Sequence, residues 1–69
     1  MNSTQAAKLQ SFEELAARQI DRLAQSPESK MVQNETRGFR LTWTKALVTK
    51  YGCDKADINA AWNRAKEGR

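Results

Sequence analysis

Apolar residues recur at helical spacing along most of the chain. Phe12, Leu15, Ala16, Ile20 and Leu23 fall three or four positions apart, with Glu13, Glu14, Arg18, Asp21 and Arg22 between them. That is the pattern of an amphipathic helix with one buried face. Ser11-Phe12-Glu13-Glu14 has the form of a capping box, which sets the expected start of this helix at Ser11. Residues 1–10, MNSTQAAKLQ, offer little to bury and are expected to form a flexible N-terminal arm, leaving 11–69 as a single helical domain.

Ser26-Pro27-Glu28 has the form of a second start, with serine as cap and proline at the first helical position, where its missing N–H is harmless. The run from Gln33 to Gly38 has no apolar member, so this helix is expected to stop near Thr36. Phe39, Leu41 and Trp43 then alternate with Arg40, Thr42 and Thr44, which suits a strand. A hairpin over 30–44 would make the fold α+β. Against this, Phe39, Trp43, Leu47 and Tyr51 repeat every four residues with Ala46 in the same stripe, and an isolated two-stranded hairpin is marginal in water. Helix is favoured, at least from Thr42 onward.

Gly52 stands where a left-handed helix end would need it, and Asp54 offers a capping side chain to a last helix from Lys55 to about Lys66. Its stripe is Ile58, Ala61, Trp62 and Ala65, and Gly68 ends it. Both tryptophans, Trp43 and Trp62, are expected as core anchors. The expected fold class is therefore all-α, a small three-helix domain whose last two helices form a helix-turn-helix-like pair.

At 69 residues the chain has room for one small core. It contains no histidine and one cysteine, Cys53, which removes an internal disulfide, the usual zinc ligand sets and histidine-dependent nucleophilic catalysis. No enzyme activity, cofactor or metal is expected. Nothing resembles a membrane span or the apolar stretch of a signal peptide, so a cytoplasmic location and no membrane partner are expected. The net charge of +4 is unevenly spread. Residues 1–36 carry slightly more acid than base, whereas 37–69 set Arg37, Arg40, Lys45, Lys50, Lys55, Arg64, Lys66 and Arg69 against Asp54, Asp57 and Glu67. An anionic ligand is expected on the C-terminal half.

The stretch from Val48 to Trp62 resembles the helix-turn-helix of phage repressors and Cro proteins. Gly52, Cys53 and Ile58 stand where that motif has its glycine, a small apolar residue and a branched aliphatic, with Tyr51 and Ala61 at two further core places. Val48 replaces the usual alanine of the tight helix contact. The resemblance implies that the last helix enters the major groove of double-stranded DNA, with Lys55, Ala56, Asn59 and Asn63 facing the base edges. Lys45, Lys50, Arg64, Lys66 and Arg69 would then neutralise phosphates. Asp57 is a misfit so near a polyanion.

Two functions follow as expectations. One is a small DNA-binding transcriptional regulator of phage or plasmid type, acting as a homodimer because a single such module makes few contacts. The other is a small helical inhibitor or adaptor that binds an acidic or nucleic-acid-binding host protein. Ala56 and Ala60, on the outer side of the last helix, would admit either a DNA edge or another helix. An RNA-binding module is disfavoured, because the sequence lacks interleaved exposed aromatics and an arginine-rich run.

Overall fold

A computed structural model describes residues 1–68 and contains three helices: α1 (Ser3–Gln25), α2 (Lys30–Tyr51) and α3 (Lys55–Glu67). No strand occurs among the described residues. The all-α expectation holds, but the helix boundaries differ from those the local signals favoured, and each difference has a physical cause.

α1 starts at Ser3, well before Ser11. Asn2 caps it through a reciprocal box: its side chain accepts from the Gln5 amide at 2.8 Å, and the Gln5 side chain accepts from the Asn2 amide at 2.9 Å. Residues 3–10 thus belong to a core helix rather than to a separate arm. Leu9 is buried beside Phe12 and Ala16, and the Gln5 side-chain amide donates to the Tyr51 carbonyl at the far end of α2. Leu9 precedes Phe12 by three positions and therefore extends the same buried stripe, which makes a break at Ser11 unnecessary. Leu15 faces outward and is 38% exposed.

Ser26 closes α1 instead of opening α2, its N–H donating to the Arg22 and Leu23 carbonyls. Pro27 and Glu28 form the turn, and Ser29 is the cap of α2, accepting from the Val32 amide at 3.3 Å. From that register Val32, Thr36, Phe39, Trp43, Leu47 and Tyr51 all fall on one side, facing α1 and α3. A hairpin at 30–44 would have turned Phe39 and Trp43 to one sheet face with no layer to cover it, whereas the helix packs both, half-buried, against the core. The helix runs straight through Gly38, where an added Cβ would meet no atom within 4 Å. Thr36, though buried, is satisfied: its hydroxyl donates to the Val32 carbonyl and accepts from the Gln19 side chain.

α1 and α2 are antiparallel, since Gln5 meets Tyr51 at one end and Arg22 pairs with Glu35 at the other. Helices of these lengths span about 33–35 Å. They therefore account for the long axis of a molecule measuring 38 × 22 × 16 Å. Gly52 adopts the left-handed conformation (φ 68°) that the sequence led one to expect, and its N–H and that of Cys53 bond the Val48 and Leu47 carbonyls. Asp54 occupies the cap position of α3, but its side chain makes no capping bond. α3 packs chiefly on α1 and least on α2. Ile58, Ala61, Trp62 and Ala65 are all buried, as their spacing predicted.

Phe12 ties the three helices together. Fully buried, it packs its ring against Phe39 (centroids 5.9 Å apart) and Trp43 (5.9 Å) of α2 and Trp62 (6.1 Å) of α3. Pairs at such separations add about 0.5–1.5 kcal/mol each beyond the area they bury. Both tryptophans belong to this cluster, Trp62 buried and Trp43 half-buried.

Candidate nucleic-acid interface

Because α3 leans on α1, the space between α2 and α3 stays open beyond their turn and forms a cleft of about 570 Å³. Trp62 and Thr36 lie at its base, Arg37, Arg40, Leu41 and Thr44 form the α2 wall, and Asn59 forms the α3 wall. No Asp or Glu lines it. The Arg40 guanidinium lies over the Trp62 ring, 4.7 Å from its centroid, and donates to the Asn59 side-chain oxygen at 3.4 Å. The ring's negative face attracts the cation, so the cleft carries positive charge on an apolar support.

The same contact links the middle of α2 to the middle of α3 across the cleft, although the two helices otherwise touch little. At the turn Gly52 is left-handed, Cys53, Ile58 and Ala61 are buried, and Val48 and Tyr51 are half-buried against them.

Of the residues expected to contact DNA, Lys55, Ala56, Asn59, Asn63 and Lys66 are all exposed. Lys55, Asn59, Trp62 and Lys66 follow one another at helical spacing. The two lysines therefore extend the cleft's α3 wall at both ends, and Asn63 and Ala56 sit beside them, turned further to solvent. Arg64 lies on the other flank of α3, where its guanidinium donates to Glu13 of α1 at 2.7 Å. Lys45 and Lys50 are exposed on a different side of α2, away from α3. Arg69 lies outside the described residues. The expected set is thus divided: Asn59 lines the cleft, Lys55, Ala56, Asn63 and Lys66 lie exposed along the same helix, Arg64 is engaged in an ion pair, and Lys45 and Lys50 stand elsewhere. Arg37, Arg40 and the Trp62 floor did not emerge from the sequence as one site. Their signal is the spacing Gln33, Arg37, Arg40, Thr44, which becomes a single face only if the helix continues through Gly38.

Asp57 faces the α1 side, near Leu9 and Cys53, and so lies off the cleft. Burial, together with repulsion from Asp57 and then Asp54, pushes the Cys53 thiol above its ordinary pKa. Cys53 is therefore a buried, protonated packing residue near neutral pH. No helix among the described residues is long and apolar enough to cross a membrane, and no group of metal-ligating side chains is found among them. No protein-family model, curated protein or solved structure matches this chain.

Proposed function

We propose that this is a small DNA-binding protein that lays α3 and the α2/α3 cleft along the duplex. The observation that carries this reading is that Lys55, Asn59, Asn63 and Lys66 share one exposed strip that continues into a cleft walled by Arg37 and Arg40 and free of carboxylates. In such an arrangement the arginines and lysines neutralise phosphates and fix orientation, while the two asparagines carry the donor and acceptor pair that suits an adenine edge. A gel-shift titration of a labelled duplex tests it. Lys55→Ala with Asn59→Ala should abolish the shift while helical circular dichroism is retained, and indifference to both substitutions would refute the assignment. A role as a transcriptional regulator belongs to the same proposal.

One observation favours a second reading. Met31 and Leu41 are large apolar residues of α2 that are 62% and 64% exposed, and Leu41 is on the cleft wall. An acidic protein with an apolar spot would suit that wall, making the chain an inhibitor or adaptor. Recovery of one stoichiometric protein from nuclease-treated lysate, together with no duplex shift, would favour it.

A further inference from the structure

On α2, cationic side chains fall on two separate faces, Arg37 and Arg40 at the cleft and Lys45 and Lys50 on the other side. We propose that the second face, formed by Lys8, Thr42, Lys45, Thr49 and Lys50, is an independent site for a nucleic-acid backbone, so that one chain holds two duplex segments at once. The proposal rests on the DNA-binding reading above. On α2, the cleft is lined by Gln33, Thr36, Arg37, Arg40, Leu41 and Thr44, and the second face by Thr42, Lys45, Ala46, Thr49 and Lys50. At about 100° of rotation per residue the two sets point to roughly opposite sides of the helix. They share no residue, and neither contains a carboxylate.

The second face has its own construction. α1 contributes Lys8, whose ammonium lies 5.4 Å from the centroid of the Tyr51 ring, and Lys8 and Tyr51 line one shallow depression with Lys50 and Trp43. The hydroxyl of Thr49 donates to the Lys45 carbonyl at 2.7 Å, so that its own donor is satisfied within α2 and the lysines supply the face's charge. Lysine ammonium groups act as point charges toward phosphate. With no asparagine, glutamine or arginine among its lining residues, this face suits sequence-independent backbone contact, in contrast to the cleft. Geometry permits simultaneous occupancy. The shorter dimensions of the molecule, 22 and 16 Å, exceed the Debye length of about 8 Å at physiological salt, so two duplexes on opposite sides are largely screened from each other.

The test is the composition of complexes between the full chain and a short duplex in excess, measured by sedimentation so that chains and duplexes are both counted. The wild-type protein should carry two duplexes per chain, and Lys45→Gln with Lys50→Gln should carry one. In parallel, wild type bound to a surface-tethered duplex should capture a second, labelled duplex, and the variant should not. One duplex per chain in the wild type, or equal capture by the variant, would overturn the two-site proposal while leaving the cleft intact. Absence of any duplex binding would instead remove the functional reading on which it rests.

Discussion

Replacing Gly38 by alanine should make the protein more stable. Gly38 lies inside α2 with no positive φ and no atom within 4 Å of the position a Cβ would occupy, so the substitution carries no steric cost. Glycine in a helix interior is about 0.8–1.0 kcal/mol less favourable than alanine. For a domain of this size, each kcal/mol moves the melting temperature by about 4–8 °C, so Gly38→Ala should raise it by roughly 3–8 °C. The partner experiment has the opposite sign. Gly52 sits at φ 68°, where an L side chain is strained, and Gly52→Ala should cost about 1 kcal/mol or more although its Cβ would make only an ordinary 3.6 Å contact with Gln5. Thermal unfolding followed by circular dichroism reads both. A fall or no change in melting temperature for Gly38→Ala would refute the continuous α2, and with it the single face on which Arg37 and Arg40 line the cleft.

Further expectations concern the core and the thiol. Phe12→Ala empties the meeting point of three helices and should cost about 3–5 kcal/mol, a large share of the stability of so small a domain, as measured by urea unfolding. Leu9→Ala should cost about 2–5 kcal/mol in the same assay, whereas a loss near zero would mean that residues 3–10 are an arm after all. Cys53 should react slowly with a thiol reagent at neutral pH, and its rate should climb only above the pH at which an ordinary thiol ionises. Since the folded-state pKa of this acid is raised, its contribution to stability is present at neutral pH and is lost as pH rises from the ordinary thiol pKa through the folded one; ordinary thiol reactivity at neutral pH would contradict the burial.

What could be read from the sequence follows how local its cause is. α3 was readable in its span and buried stripe, because the glycine before it and the i, i+3, i+4, i+7 spacing lie within a few residues of each other and agree, whereas the expected side-chain cap from Asp54 is not made. The left-handed Gly52 was readable for the same reason. α1 was misplaced because the chain contains two capping boxes, Asn2 to Gln5 and Ser11 to Glu14, and the choice depends on Leu9 and Gln5 finding partners in α3 and α2, which only tertiary packing supplies. In the same way, the local sequence places the start of α2 at Ser26, whereas the inward register of Val32, Thr36 and Phe39 selects Ser29 as the cap. The cleft was the least readable feature, since it depends on α3 leaning toward α1 and away from α2.

The basic strip and cleft as a duplex-binding surface are tested most directly by measuring duplex affinity across a range of salt concentrations for the wild type and for Arg37→Gln with Lys66→Gln, two exposed positions outside the core. Each phosphate contact contributes about 0.9 to the slope of log affinity against log salt, so the variant should bind more weakly at low salt with a slope shallower by nearly two units. Negligible wild-type binding at low salt, or identical slopes for the two proteins, would contradict the assignment.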